Sequence, residues 1–501
     1  MHAYKKTITI LLAIVFSIIF WNEKLGVNLF LFTTILSGFA LYQNQSSLQS
    51  FLVKTTLLGT LLSGVMVVIF NSFISKFVHI SSFWLLIGVI HYPHLRSFYY
   101  SIQYSFTNIL FAPKSFLSNS ILNNKPQTRT DAILYTLKLT VLPLIVLLVF
   151  YILFYNANEK FAHLADAFWS KFGDVFSMLF NYISFGRLFM IILGLLIVVF
   201  AFYKSTLFSD DSSLVDTLSR ARIQRRGRVF YGMNILKQQY KTAVILVLLV
   251  NMLLLVFNVI DISWIWFNFT LEEGMVLKHF VHEGTYLLIM SILLSMGIIL
   301  WFFRNNINFY PHNNFLKCIS LIWMVQNMVL CVSVFIRNYH YINYHGLAYK
   351  RIGVIIFLVL TLVGLVTMIV KIKTIKSAFY MVRINTLAAY IVFIMMACVN
   401  WDIIIVKFNL SHWNKSGIDV GFYFTLSPKA IPIISENLMV IDEQIRSCNA
   451  AQTNFTPFEN INQFKIRLYN EKLKFIREQQ QYSWLSWNAS DYKTLYYIIK
   501  E

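Results

Sequence analysis

The chain has 501 residues, 57% hydrophobic and only 13% charged, with 46 Phe and a mean hydropathy of +0.63. A soluble chain carries about 25% charged residues, and one of this length splits into domains that each need a charged skin. With too few charges for that skin, and with 18 Gly, 8 Pro and 4 Cys excluding collagen-like, disordered and disulfide-scaffold chains, a polytopic membrane protein is left.

A spanning helix needs about 20 mostly apolar residues to cross a hydrocarbon core of roughly 30 Å. The N-terminal membrane region, residues 1–130, opens with Lys5 and Lys6 before an apolar run that lacks a small-residue cleavage site and reads as a retained anchor. Thr7–Trp21 and Val27–Tyr42 are short and separated by Asn22, Glu23 and Lys24, which suits two thin spans or a re-entrant hairpin. Thr55–Phe70 predicts a span, and Ile80–Tyr92 a short one that stops at Pro93.

The main bundle, residues 131–406, has seven further apolar runs. They are Ala132–Tyr155, Leu188–Tyr203, Thr242–Ile260, Thr285–Phe303, Ile319–Ile336, Ile352–Val370 and Ile384–Val399. The total is about eleven spans. Between the first two, Phe161, Leu164, Phe168, Phe172, Val175, Phe176 and Leu179 recur at helical spacing opposite Lys160, Asp166, Lys171 and Asp174. That pattern predicts an interfacial amphipathic helix over 157–183, with a soluble cap as the rival.

Residues 407–501 are polar, with acids and bases nearly balanced and no run long enough to span. Gly421–Thr425 has strand character, Ser427-Pro428 and Pro432 mark turns, and helices are expected near Ile434–Ser447 and Phe464–Gln481. The expected fold is thus an all-α polytopic transmembrane helix bundle with a small α+β C-terminal extramembrane domain. That domain is too small to bury a large core and should dock on the bundle.

The balance of 42 Lys+Arg against 22 Asp+Glu gives +20, but its placement points to lipid rather than nucleic acid. With Lys5 and Lys6 inside, the loops Tyr42–Lys54, His91–Asp131, Lys204–Lys241, Arg304–Lys317 and Lys371–Arg383 hold most of the loop cations, including the run Arg220–Arg228. Cytoplasmic loops retain such residues, so the N-terminus is expected inside and the C-terminus outside. Arg337, Lys350 and Arg351 break the rule by facing outward. The bilayer and its anionic headgroups are the expected partners, with a protein partner for the tail as a further option; no nucleic acid is expected. Cys448 is alone in the tail, so no disulfide can form within it.

Polar groups in a bilayer are costly and therefore informative. Asn251, Asn258, Gln326 and Asn327 lie in apolar helices, where interhelical hydrogen bonding is the ordinary reading and a lined pathway the sharper one. At the outer helix ends a denser set gathers: Asp261, then His279, His282 and Glu283, then Arg337 and His340, then His345, Lys350 and Arg351, then Asp402. Carboxylates and imidazoles could hold a cation or relay protons, and the cations could hold a phosphate or carboxylate. The spacing of His279, His282 and Glu283 is not that of a zinc protease, and no metal is assigned. No P-loop, dinucleotide fingerprint, nucleophile elbow or CxxC pair is present, so no cofactor is expected.

The stretches "LLVNMLLLVFNVIDISWIWF", "FVHEGTYLLIMSILLSMGIILWFFRNNINF", "WMVQNMVLCVSVFIRNYHYINYHGLAYKRIGV" and "ACVNWDIII" resemble a bacterial family of multi-pass membrane proteins, a domain of unknown function numbered four-one-seven-three and related to four-one-five-three. The likeness covers roughly Lys241–Asp402 and extends weakly to "LSPKAIP" and "WLSWNAS". It implies an integral inner-membrane protein and supplies no activity or catalytic residue. It points to Asn258, Asp261, His282, Arg337-Asn338-Tyr339, Tyr349-Lys350-Arg351 and Asn400-Trp401-Asp402. The ligand-binding set expected from both lines is Asp261, His282, Glu283, Arg337, Tyr349, Lys350, Arg351 and Asp402. A non-enzymatic protein holding an anionic ligand or lipid headgroup there, with transport as an extension, is the leading expectation. The alternatives are a membrane-embedded transferase or hydrolase on a lipid-linked substrate, with His282 as base and Arg337 or Arg351 as phosphate clamp, and a scaffold or sensor acting through the tail.

Overall fold

A computed structural model describes residues 2–121, 160, 163–166, 185–204, 218–219, 229–267, 277–303, 306–412, 419–450 and 457–501. The helices are α1 His2–Phe20, α2 Val27–Gln43, α3 Phe51–Ile69, α4 Phe73–His91, α5 Phe98–Ile121, α6 Phe185–Phe202, α7 Val229–Asp261, α8 Leu277–Phe302, α9 Asn314–His345, α10 Tyr349–Thr374, α11 Ala378–Ala397 and α12 Trp401–Ser411. Four more, α13 Ile431–Glu436, α14 Leu438–Ala450, α15 Ile461–Gln480 and α16 Ala489–Lys500, build the C-terminal part.

Among the described residues seven helices are long and apolar enough to cross a membrane: α3, α4, Leu236–Phe267, Gly284–Phe302, α9, α10 and α11. Eleven spans were expected. Val27–Gln43 and Gly186–Phe202 are apolar but shorter, Ala132–Tyr155 lies outside the described residues, and so does most of the amphipathic stretch 157–183. Two boundaries differ from the hydropathy pattern for a physical reason. Helix α4 starts at Phe73 rather than Ile80, because the Ser72 side chain caps it by accepting from the Ser75 N–H. Helix α9 runs on past Ile336 to His345, because the polar Arg337 and Asn338 find partners instead of ending it.

Two clusters of buried side chains organise the bundle. Phe16, Phe32, Leu36, Leu86, Ile87 and Phe200 belong to one formed by α1–α6. Val247, Ile292, Trp323, Leu330, Leu358 and Leu365 belong to another formed by α7–α11. Helix α11 joins them: Met381 is in the second cluster, while Leu387 and Tyr390 pack on the first.

Polar contacts within the bundle fix the helix directions. Asn251 Nδ2 donates to Ile319 O (3.0 Å) and Asn258 Nδ2 to Gln326 O (3.2 Å), both across a separation of 68 residues, so α7 and α9 run parallel. Gln326 Nε2 donates back to Asn251 Oδ1 (3.3 Å), and Asn327 binds its own helix at Trp323 O. These amides thus serve mainly as interhelical links, worth about 0.6 kcal/mol each. Helices α1 and α6 run antiparallel, since Lys5 lies over the Tyr203 ring and Arg187 over Trp21. In the first cluster the imidazole of buried His79 meets Thr33 Oγ1 (2.9 Å) through Nε2, and Thr60 O (3.1 Å) and Ser63 Oγ (3.2 Å) through Nδ1. Thr60, Ser82 and Tyr390 extend this polar seam to α11.

One end of the bundle gathers the basic loops: Phe51, Arg96, Leu218, Tyr380 and Arg383 line a small cavity of about 160 Å³ there. The opposite end carries the C-terminal part. The strand expected at Gly421–Thr425 is instead a 3-10 turn over Val420–Thr425. Asp419 caps it through its carboxylate on the Gly421 N–H (2.8 Å), and among the described residues no sheet edge is at hand to pair a strand. The C-terminal part is accordingly helical throughout its described residues rather than α+β, and the expected helices appear as α13–α14 and α15. Val420, Tyr423, Ile434, Ile441, Ile445, Phe464 and Leu468 form its own core, which Val406 and Leu410 of α12 join.

Candidate ligand-binding cleft

The C-terminal end of α7 and the late turns of α9 hold the first half of the sequence-predicted set. Asp261 is the last residue of α7, where the helix widens into a π turn over Ile262–Phe267. Its carboxylate accepts from Arg337 of α9, and both side chains are buried. Each ion loses several kcal/mol of hydration on burial, so the pair is held by mutual attraction and is costly to break rather than strongly stabilising. Trp266 Nε1 donates to Ser333 Oγ (2.7 Å) one turn away. The backbone of α8 comes close at Gly284, where a Cβ would sit 3.0 Å from Arg337 Nη1. His282 and Glu283 fall in the first turns of α8, but their side chains lie outside the described residues, as does that of His279.

The second half of the set has a different arrangement. Arg351 turns back on the end of α9: its Nη1 donates to His345 O (2.7 Å) and to Gly346 O, and the guanidinium lies over the Tyr341 ring. Those carbonyls have no intrahelical partner, so Arg351 acts as a C-terminal cap. Asn338 Nδ2 donates to Arg351 O (3.1 Å). Lys350 is exposed. Tyr349 OH donates to Asp402 Oδ1 (2.8 Å), which joins α10 to the first turn of α12. Asn409 of the same short helix pairs both backbone groups of Leu347. The predicted set therefore divides into an Asp261–Arg337 pair, a capping Arg351 and a Tyr349–Asp402 pair.

Tyr349 and Asp402 open into a cleft of about 720 Å³ between the bundle and the C-terminal part. Besides Asp402, its charged lining is Lys24 from the α1–α2 loop, Lys76 from α4, Lys429, Glu478 and Asp491. Lys429 is buried and donates to Phe70 O and Asn71 O, both 2.6 Å, which ties the C-terminal part to the α3–α4 loop. Burial pushes its amine down to about 8, against the opposing pull of Asp491, 4.0 Å away. Lys24 pairs with Glu478 (3.2 Å) while half-exposed, a contact worth about 0–1 kcal/mol. Lys76 forms no ion pair among the described residues. Ser427, also in the lining, has a buried Oγ without a hydrogen-bond partner among them.

Sequence reasoning missed Lys24, Lys76, Lys429 and Asp491. They are scattered along the chain, and only the docking of the tail brings them together. The signal that could have found Lys429 was the tail phrase "LSPKAIP", which contains it.

Apolar helices of spanning length, interhelical amide links and a charged cleft confined to one end define a polytopic helical membrane protein. A family model described as a domain of unknown function (DUF4153) matches residues 7–437, nearly the whole chain. The chain belongs to that family, the second of the two numbers its sequence resembles. No curated protein and no solved structure matches it.

Proposed function

We propose that this is a bacterial inner-membrane protein, with a cytoplasmic N-terminus and an extracytoplasmic C-terminal domain, whose cleft binds an anionic phospholipid headgroup. The observation that carries this reading is that Lys24, Lys76 and Lys429 line one cleft at the ends of the spans, where Lys24 is paired with Glu478 and Lys429 lies by Asp491 while Lys76 has no ion pair among the described residues. Lys76 supplies a cation without an ion pair among the described residues, and Ser427 Oγ and Tyr349 supply hydroxyls. Charge-assisted hydrogen bonds from such groups suit a phosphate. The orientation rests on the basic loops at the opposite end, with Lys5, Arg96, Lys204, Lys376 and Arg383.

Binding is favoured over transport because Asn251, Asn258 and Gln326 link helices to one another. It is favoured over phosphate-transfer chemistry because Arg337 is engaged by Asp261 and Arg351 by helix-end carbonyls. The test is native mass spectrometry of the purified chain exposed to phosphatidylglycerol or phosphatidylcholine. Selective retention of phosphatidylglycerol, reduced severalfold by Lys76→Ala and kept by Lys76→Arg, supports the reading. Equal retention of both lipids, or retention indifferent to Lys76→Ala, overturns it.

A further inference from the structure

Helix α16 and the turn before it present a face that the other described residues leave uncovered. On the inner side of α16, Thr494 is buried, Asp491 lies by Lys429 and Ile498 packs on the C-terminal core. On the other side Tyr492, Tyr496 and Ile499, spaced at i, i+4 and i+7, are exposed. Trp484 and Trp487 in the preceding turn are exposed too, and the Trp487 and Tyr492 rings lie 6.4 Å apart. Five large side chains in one short segment are a patch of the kind that marks an interaction surface.

The position of this segment says what covers it. Trp487 O accepts from the Val27 N–H (3.1 Å) at the start of α2, and Ser490 Oγ donates to Ile69 O (2.9 Å) at the end of α3. The segment therefore sits level with the ends of α2 and α3, two apolar helices of which α3 is long enough to cross a membrane. Below it, Leu31, Ile35 and Phe39 of α2 and Leu58, Leu62, Val65 and Ile69 of α3 are exposed along the helices, as a lipid-facing surface requires. Tyr and Trp are the side chains that settle at such a boundary, with the apolar ring toward the acyl chains and the N–H or O–H toward water. Lys493 and Lys500, both exposed on α16, can extend their stems to place the amines among phosphates.

From this geometry we infer that α16 and the Trp484–Trp487 turn lie in the headgroup layer of the bilayer and bind the lipid surface through Trp484, Trp487, Tyr492, Tyr496 and Ile499. The site is separate from the cleft and does not depend on the cleft having a ligand. It makes the C-terminal domain a clamp held both by the bundle and by the lipid around it.

The experiment uses the full chain in phospholipid nanodiscs, with Cys318→Ser and Cys398→Ser removing the exposed and half-buried thiols. A bimane label is attached at Tyr496→Cys, in a second protein at Ile499→Cys, and in a control at the exposed Glu443→Cys. Nitroxide lipids labelled near the headgroup should quench the labels at 496 and 499 severalfold more than the label at 443, and iodide in the buffer should quench them less. Iodide quenching at 496 and 499 equal to that at 443, with no effect of nitroxide lipid, overturns the inference. So does self-quenching of the 496 label that disappears on dilution with unlabelled chain, which would mean that a second copy covers the face.

Discussion

Asp261 and Arg337, 76 residues apart in the chain, form a buried ion pair where α7 ends beside the late turns of α9. The pair explains why a cation that breaks the charge rule for loops stands there. Arg337 is not in a loop; it continues α9, and its charge is answered by the last residue of a parallel helix.

Removal of one partner leaves an uncompensated buried charge, which costs about 3–5 kcal/mol. Arg337→Met and Asp261→Asn should each lower the thermal midpoint of the purified chain in detergent markedly. The double variant should recover much of that loss, because no lone charge is left behind. Additive losses in the double variant would show that the two residues act independently.

The docking of the C-terminal domain depends on a close backbone approach at Gly26. A Cβ there would meet Ser486 O at 2.6 Å and Trp487 O at 2.8 Å. These are backbone atoms and cannot swing aside, so Gly26→Ala should cost about 1–3 kcal/mol. Limited proteolysis of the variant should release C-terminal fragments faster than in the unaltered chain.

Lys429 predicts a pH dependence with a definite sign. Its docked amine titrates at about 8, below the ordinary 10.5. Below pH 8 both docked and undocked forms hold the proton, and the burial cost is present in full. Between about 8 and 10.5 the undocked form holds the proton and the docked form does not, so docking strengthens as pH rises. The thermal midpoint of the unaltered chain should therefore gain on that of Lys429→Gln between pH 7.5 and 10. A constant difference across that range would contradict the assignment.

His79 holds the α2–α3–α4 seam together through both ring nitrogens. His79→Ala removes these bonds and opens a cavity, which should cost roughly 2–4 kcal/mol. His79→Gln keeps a donor and an acceptor and should recover part of the loss. The check is thermal unfolding in detergent; equal midpoints for His79→Ala and the unaltered chain would contradict it.

Much of this architecture can be read from the residues. Apolar length finds most of the described helices of the bundle but not α5, which lies within the expected loop His91–Asp131, and the helix expected at Phe464–Gln481 matches α15 almost to its ends. Span ends are less legible because hydropathy does not register a cap such as Ser72 or an ion pair such as Asp261–Arg337. The aromatic run Gly421–Thr425 misleads, since it forms a 3-10 helix capped by Asp419, with no strand among the described residues to pair with. The polar set at the helix ends is legible as a list but not as a partition. Nothing in the spacing of Tyr349, Lys350 and Arg351 says that the first opens on a cleft while the third caps α9. The cleft itself is the least legible feature, because Lys24, Lys76 and Lys429 meet only through tertiary docking.

The sidedness of the cleft is measured most directly by labelling a cysteine at exposed Glu443 of the C-terminal domain, in the chain bearing Cys318→Ser and Cys398→Ser, with a membrane-impermeant maleimide. Intact cells, whose inner membrane is sealed but whose periplasm is opened, should give full labelling at 443. Inverted vesicles should give none until detergent is added. Labelling only in inverted vesicles would place the domain and its cleft in the cytoplasm and contradict the proposed orientation.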